Sequence, residues 1–549
     1  MVGRYKPAAP HSGYFVRVIK LSQELQPVLL SNLISSLAEV KPRTANNLPI
    51  SGIAYSSTMV RPGNLFVAVV GRTTDGHKYI NDAIQRGALA VVGTSEMPNL
   101  AVPYFRVNDS REALAILSAA FYKIPSRKLT VIGVTGTDGK TTTANLVYQI
   151  LSTSGRKVGM ITTVNAVIGD EKFDTGFHVT TPEAPEIQSY LARMVDAGLD
   201  SAVIEVTSQG LDQHRVSACE FDISVITNIT HEHLDYHRTF EAYRSTKARL
   251  FTSLINSPPK ENGSVKAAVL NRDDSSYDFL SRTSSAPQIS YGFSKDADVH
   301  ANEMNTLPVG VHFIVAGQTI SGKKFSFPVA THLGGRFNVS NALAAITVGS
   351  GVLELDSEAV QSAIANFPGV PGRWEHINLG DQYPDLPDFL AVVDFAHTPN
   401  ALKNVLESAR QAIPGRVIAV FGSAGLRDRE KRRMMAAIST QLADISIFTA
   451  EDPRTESLDQ ILNEMAIGAI SQGGKEGKTF FRIPDRREAI RFAVKTARTG
   501  DLVIACGKGH EQSMCFGNIE YPWDDRVAMR SALAEHYKVP GPDMPYLPE

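Results

Sequence analysis

The chain has 549 residues, 43% hydrophobic and 20% charged, with a formal net charge of −2. Single cores stop growing near ~250–300 residues, so roughly three or four domains are expected, and the balanced charge excludes nucleic acid or a membrane as the main partner. Three cysteines without a CxxC pair exclude a disulfide framework and a cysteine zinc site; no apolar run approaches a transmembrane span and Met1 to Gly13 lacks a signal-peptide core, so a cytoplasmic address is expected.

Residues 1–22 read as an irregular, Pro/Gly-punctuated extension. From Leu21 to about Arg127, short apolar strands (Leu65 to Val70, Ala90 to Val92, Tyr104 to Val107) alternate with helical stretches (Ile80 to Arg86, Arg111 to Tyr122). That alternation predicts a small α/β domain over residues 1–127. The loop Ser56 to Gly63 and the turn Asp75-Gly76-His77 stand at strand ends, where such folds bind ligands. Turn chemistry alone explains them equally well.

The apolar run Leu129 to Val134 reads as a buried strand. It breaks into a loop carrying Gly136 and Gly139, and a helical pattern follows from Thr141 to Ser152. Strand, glycine loop and helix N-terminus together build an anion site, with backbone N–H groups and the helix dipole facing phosphates. Lys140 would reach the β/γ-phosphates, and Thr141 or Thr142 would ligate Mg²⁺. The common P-loop pattern has a glycine where Val134 stands, so this is a shortened relative with glycines at 133, 136 and 139.

Strand–helix alternation continues through Val158 to Thr162, Ser201 to Glu205 and Ile223 to Thr227, predicting a parallel, doubly wound sheet within residues 128–353. Glu205 ends its strand beside the P-loop, where a carboxylate can hold Mg²⁺ or cap a turn. The stretch Thr230-His-Glu-His-Leu-Asp-Tyr-His237 is rich in ligands, but His231, His233 and His237 lack zinc spacing. A second-metal or phosphate role fits this cluster better than core packing. Residues 257–266 read as a polar surface loop, and 295–330 as two or three strands on an antiparallel flank.

A Pro-Gly pattern between Phe367 and Arg373 marks a boundary. The third domain, 354–549, again alternates strands (Ala391 to Asp394, Val417 to Phe421, Ile445 to Thr449, Leu502 to Ala505) with helices. Asp394-Phe-Ala-His397, Glu451-Asp-Pro-Arg454 and Gly507-Lys-Gly-His-Glu511 each follow a strand. Three charged loops at one sheet edge suit a small zwitterion, although any one alone could be solvated surface.

These stretches, with Thr180-Thr-Pro182, Glu205-Val-Thr-Ser-Gln-Gly-Leu211, Gln213-His-Arg-Val216, Tyr243-Arg-Ser-Thr-Lys247, Phe337-Asn-Val-Ser-Asn341 and Gly425-Leu-Arg-Asp428, resemble the Mur ligases, and closely the MurE branch, over roughly residues 50 to 530. The resemblance implies a three-domain α/β architecture: a uridine-binding domain, a central P-loop ATPase, and a Rossmann-like domain for the incoming amino acid. It implies an ATP-dependent ligase that adds the third amino acid to UDP-N-acetylmuramoyl-L-alanyl-D-glutamate, with ATP and Mg²⁺ as cofactors. A cytoplasmic monomer acting on small molecules is expected.

By the same resemblance Thr141, Glu205, His233 and Lys247 would serve magnesium, Lys247 as a carbamate. Lys140, Glu205, His233 and Lys247 would then form the catalytic set. Gly136, Thr137, Asp138, Gly139, Lys140, Thr141, Thr142, Asn338, Arg373, Asp394 and His397 would contact ATP. Ser57, Thr180, Thr181, Thr207, Gln213 and Arg215 would hold the muramoyl-peptide. Arg427, Asp452, Arg454, Gly507 and Glu511 would frame the amino acid.

The chain departs from the family in three places. Asp138 stands where Asn is usual, and Ser56-Ser57-Thr58 replaces Asp-Ser-Arg at the uridine end. Glu451-Asp-Pro-Arg454 replaces Asp-Asn-Pro-Arg. Arg454 suits a second carboxylate, as in meso-diaminopimelate, whereas Asp452 suits a side-chain ammonium, as in lysine or ornithine. The two cues leave the amino acid open. Rival readings are another ligase on this fold, acting on folylpolyglutamate or cyanophycin, and a non-catalytic ligase-like subunit. The set Lys140, Glu205, His233 and Lys247 speaks against the second.

Overall fold

The computed structural model describes residues 26–40, 47–71, 74–173, 181–230, 232, 234–307, 310–380, 382–383 and 386–548, the side chains of 234 and 235 excepted. The chain divides into two compact units: Met1–Lys123 with Asp174–Val179, and Ile124–Phe173 with Thr180–Glu549.

In the first unit, a parallel sheet runs in sequence order through Gly52–Ala54, Asn64–Val67, Ala90–Gly93 and Tyr104–Arg106. Its two middle strands are buried along their whole length, as expected of a parallel sheet covered on both faces. Leu65, Val67, Val92 and Phe105 pack against Leu114, Leu117 and Phe121 of the helix Ser110–Phe121. Asp109 caps that helix by accepting from the N–H groups of Arg111 and Glu112. Ser57 is buried in a single 3₁₀ turn, Ser57–Met59, and its hydroxyl bonds the carboxylate of Asp82.

The second unit holds two larger sheets. Eleven strands form the first, in the spatial order Glu171–Phe173, Ala166–Ile168, Val158–Ile161, Ser201–Glu205, Thr130–Thr135, Ile223–Ile226, Ala267–Asn271, Gln288–Gly292, Val299–Thr306, Val311–Gln318 and Lys324–Thr331. From Val158–Ile161 through Val299–Thr306 neighbours pair in parallel, and both ends turn antiparallel. Residues 295–330 thus do supply the expected flank. Thr130–Thr135 lies between the strands that carry Glu205 and Ile226, with Glu205 opposite Val134 and Ile226 opposite Thr135. The chain leaves this central strand towards one side first and the other later. The crevice outside its carboxyl end is where open α/β sheets bind ligands.

The helix Lys140–Thr153 buries Ala144, Leu146, Val147, Ile150 and Leu151 in the core of that sheet. The same core extends through the helix Ser357–Ala365, by Val360, Ala363 and Ile364, as far as Val370.

Residues 257–266 form the surface loop that their polarity predicts, with Lys260 the one buried residue in it. Lys260 turns inward and places Nζ 2.5 Å from Asp222 Oδ2, while Lys266 approaches the other oxygen at 3.1 Å. The physical reason lies at the foot of the strand Thr130–Thr135. Asp222 is fully buried and accepts from the Val131 N–H at 2.8 Å, so its charge needs a buried partner.

The second sheet runs Glu375–His376, Leu390–Asp394, Leu502–Cys506, Val417–Phe421, Ile445–Phe448 and Phe480–Arg482, parallel except for the first strand. Its carboxyl edge gathers Asp394, the loop after Phe421, the loop after Phe448 and the loop after Cys506. Among the described residues, no helix is long and apolar enough to cross a membrane.

Candidate active site

Gly136 (φ +151°) and Gly139 (φ +82°) shape the loop between the central strand and its helix. A Cβ at Gly136 would overlap the Thr227 hydroxyl, and one at Gly139 would overlap the side chain of Asn341. Both glycines are therefore required by close approach as well as by backbone angle. Lys140 Nζ donates to the carbonyl of Thr137 at 2.7 Å, folded over its own loop. The Thr137 hydroxyl bonds Tyr243 Oη at 3.0 Å and accepts from the Thr230 N–H at 2.9 Å. Asp138 donates its N–H to Asn228 Oδ1, and its carbonyl accepts from Thr227 Oγ1 and Asn228 Nδ2. These bonds to Thr227, Asn228, Thr230 and Tyr243 fix the loop.

Thr141 Oγ1 donates to Glu205 Oε1 at 3.0 Å, and Glu205 Oε2 accepts from the Thr163 N–H at 3.1 Å. Both side chains are buried at the helix N-terminus. A hydroxyl and a carboxylate of this kind are oxygen donors suited to Mg²⁺. Lys247 lies alongside, donating to the Gly136 carbonyl at 2.6 Å with Nζ 4.7 Å from the Tyr243 ring centre. Burial, and then the neighbouring charge of Lys140, push its pKa well below the ordinary lysine value.

The histidine stretch reads differently in part. His237 is buried, bonds the Ser208 hydroxyl through Nε2 at 3.0 Å and lies at a tilt against the Tyr236 and Tyr243 rings, so it packs rather than ligates. The physical reason is that the short helix Leu234–His237 turns its last residue inward onto the helix after Glu205. His231, His233 and Thr180 lie outside the described residues. No group of three His, Cys, Asp or Glu side chains able to hold a metal occurs among the described residues.

Thr181 joins the nucleotide edge to the expected peptide subsite. Its hydroxyl lies 3.3 Å from the Glu205 carbonyl and 3.0 Å from the Thr207 hydroxyl. Arg215 donates to the Thr181 carbonyl at 2.6 Å and to Gln213 Oε1 at 2.8 Å, and pairs with Glu183 at 2.9 Å. Gln213 in turn donates to Tyr236 Oη at 3.1 Å. Four of the expected peptide-binding residues thus share one cluster. Ser57 belongs to the other compact unit.

Arg373 stacks 4.2 Å over the Phe395 ring and reaches Thr141 Oγ1 at 3.5 Å. Asp394 spends both oxygens on backbone, accepting from the N–H groups of Trp374 at 2.6 Å and Ala396 at 2.7 Å. It braces the turn that carries Arg373. His397 Nε2 is 4.0 Å from Glu232 Oε1. Asn338 donates to the Gly334 carbonyl and accepts from Asn341, which faces Gly139.

At the second sheet's edge, Asp452 (φ +42°) and Arg454 (φ +55°) sit in left-handed backbone that non-glycine residues seldom adopt. Lys508 Nζ lies 2.9 Å from Asp452 Oδ1 and 2.6 Å from Glu511 Oε2. Burial opposes the lysine's charge, yet Glu511 and Asp452 together hold its pKa above the ordinary value. The Cys515 N–H also donates to Asp452 Oδ1. Gly425 packs on Pro453, which brings the exposed Arg427 loop to the same place. Arg454 Nε is buried with no hydrogen-bond partner among the described residues. Gly507 donates its N–H to the Asp394 carbonyl at 3.1 Å, tying this edge to the Arg373 turn.

Sequence reading did not single out Asn228, Tyr243, Asn341, Asn400 or Lys508. Asn228 lies in Thr227-Asn-Ile-Thr230, which runs into the histidine stretch, and Tyr243, Asn341 and Lys508 lie inside the motif stretches, so the motifs contained a signal; the contacts that give them roles did not show.

Residues 134–349 match the family described as "Mur ligase middle domain", 372–509 "Mur ligase, glutamate ligase domain", and 49–122 "Mur ligase family, catalytic domain". The chain is 39% identical over 506 residues to the UDP-N-acetylmuramoyl-L-alanyl-D-glutamate–2,6-diaminopimelate ligase of Geobacillus thermodenitrificans, covering 92% of this chain and 99% of that protein. A UDP-N-acetylmuramyl-tripeptide synthetase of a Roseiflexus species is 42% identical over 516 residues, with 92% and 99% covered. A solved UDP-N-acetylmuramoyl-L-alanyl-D-glutamate–2,6-diaminopimelate ligase superposes with a TM-score of 0.64 at 30% identity, covering 93% of this chain and 99% of the other.

Proposed function

The chain belongs to the Mur ligase family, and from that premise we propose that it is an ATP-dependent amide ligase adding the third amino acid to UDP-N-acetylmuramoyl-L-alanyl-D-glutamate. One observation carries the reading. Glu205 accepts from nucleotide-loop Thr141 on its side chain and from Thr181 of the peptide cluster on its carbonyl. ATP and a carboxylate acceptor would thereby meet at one strand end. The uridine domain would span 1–127, the ATPase 128–353, and the amino-acid domain 354–549. The enzyme would act as a cytoplasmic monomer.

In this mechanism the D-glutamate carboxylate attacks the γ-phosphorus of ATP, ADP leaves, and an acyl phosphate forms. The loop amides and Lys140 stabilise the charge that develops in the in-line transfer. Lys140 would exchange the Thr137 carbonyl for a phosphate oxygen. Thr141 and Glu205 would hold Mg²⁺, which supplies neutralising charge to the phosphates. His233 is retained as a further ligand in this proposal. The neutral amine of Lys247, made available by burial, would add to CO₂ and lose a proton, leaving a carbamate. The amine of the amino acid then attacks the acyl carbon, and inorganic phosphate departs from the tetrahedral intermediate. Exclusion of water protects the acyl phosphate.

The amino acid is assigned as meso-diaminopimelate. Asp452 Oδ1 is already occupied by Lys508 and the Cys515 N–H, so it would offer less to a side-chain ammonium, whereas Arg454 would take a second carboxylate bidentately. Hydroxylamine in place of the amino acid tests the mechanism. An ATP-dependent hydroxamate of the muramoyl-dipeptide is expected, and ATP cleavage without hydroxamate would contradict an acyl phosphate.

A further inference from the structure

Asp138 is an acid in the middle of a phosphate-binding loop, and its side chain is completed from a different sheet. Asn400 Nδ2 donates to Asp138 Oδ2 at 2.8 Å. Asn400 is the second residue of the helix Pro399–Ala412, which Thr398 caps through the Ala401 N–H. Residues 400, 404 and 408 share one face of that helix. Ser408 on that face lies against Gly335, where a Cβ would overlap its hydroxyl. The helix therefore lies along the nucleotide half with its N-terminal tip on the P-loop. Asp138 is fixed on its other side too, its backbone bonded to Thr227 and Asn228. Of the contacts near the loop that cross between the sheets, Asn400–Asp138 is shorter than Arg373–Thr141 at 3.5 Å and His397–Glu232 at 4.0 Å.

We propose that Asn400 is a positioning residue for phosphoryl transfer: it ties the nucleotide loop to the amino-acid-binding half, so ATP is cleaved productively only while the halves are engaged. The chemistry needs such a tie. One half supplies the activated carboxylate and the other the amine, and an acyl phosphate formed while they are apart is lost to water. The proposal rests on the ligase reading for its turnover readout and on the nucleotide site alone for its binding readout.

Four proteins test it: wild type, Asp138→Asn, Asn400→Asp, and the exchanged pair D138N/N400D. An aspartate in the first turn is favourable to the helix, so N400D does not damage the helix itself. Facing Asp138, however, it sets two carboxylates where one donor met one acceptor. With Asp138 present, N400D should weaken ADP binding about tenfold and raise phosphate released per amide formed from one to above about two. In the D138N background, the same change recreates a donor–acceptor pair and should shift both readouts less than about threefold. Equal losses in both backgrounds, or none in either, would overturn the proposal. Should N400D not fold, Asn400→Ala takes its place, and a phosphate-to-amide ratio unchanged from wild type would overturn it. A wild type that forms no amide would remove the ligase reading, while ADP affinity across the four proteins would still decide the contact.

Discussion

Lys508 Nζ lies 2.9 Å from Asp452 Oδ1 with the lysine side chain fully buried. The acid that by itself suits a substrate ammonium is thus held by an internal cation, and in the proposed reaction Arg454 would take the substrate carboxylate. Arg454→Ala should lower kcat/KM for meso-diaminopimelate by about 10²-fold or more, since a site built for a charged group suffers when the pair is broken. Asp452→Asn should alter the preference over L-lysine less than about threefold. Kinetics with both amino acids check the two outcomes.

Lys140→Ala should abolish turnover, with a fall of about 10³-fold in kcat expected from losing a charge aimed at the transferring phosphoryl group. Steady-state phosphate release reads it directly. Substantial ligation by that variant would remove Lys140 from the chemistry.

Lys247 is buried beside Lys140, and both effects lower its pKa, so the neutral amine is populated well below the usual lysine range. Carbamate formation consumes that neutral amine. Activity should therefore fall in CO₂-depleted buffer, return with bicarbonate, and be lost on acidification. A ¹³C carbamate signal that disappears in Lys247→Ala checks the assignment.

Glu451 is buried with Oε2 lacking a partner among the described residues, and burial raises its pKa to about 7. The folded chain thus binds this proton more tightly than the unfolded chain does. The resulting stability is fully present below pH 4.5 and is lost as pH rises to about 7, a change of about 3 kcal/mol. Melting temperature should drop over that window in wild type, and less in Glu451→Gln.

Asp222 holds Lys260 and the Val131 N–H at the foot of the nucleotide strand. Asp222→Ala leaves a buried ammonium without its partner and should cost about 3–5 kcal/mol by denaturant unfolding. D222A combined with Lys260→Met should recover part of that loss.

Local pattern carried much of this fold into the sequence. The strand Thr130–Thr135, the two shaping glycines and the helix after Lys140 are contiguous, so spacing revealed them; the strand ending at Glu205 was legible for the same reason. Contacts between distant segments were not legible. Asp452 and Lys508 are 56 residues apart, and Asp138 and Asn400 are 262 apart. No periodicity links such positions. Residues 257–266 were legible as a surface loop, but polarity did not reveal that Lys260 turns inward to the buried charge of Asp222. His237 misled because ligand-type side chains also serve packing, here against Ser208.

The most direct test is phosphate release by the purified protein with ATP, Mg²⁺ and UDP-N-acetylmuramoyl-L-alanyl-D-glutamate, adding meso-diaminopimelate, L-lysine or L-ornithine one at a time. Release that depends on the dipeptide nucleotide and is strongest with meso-diaminopimelate is the expected result. Release with none of the three, from protein that still binds ADP, would contradict the ligase assignment, and a preference for lysine or ornithine would contradict the role given to Arg454.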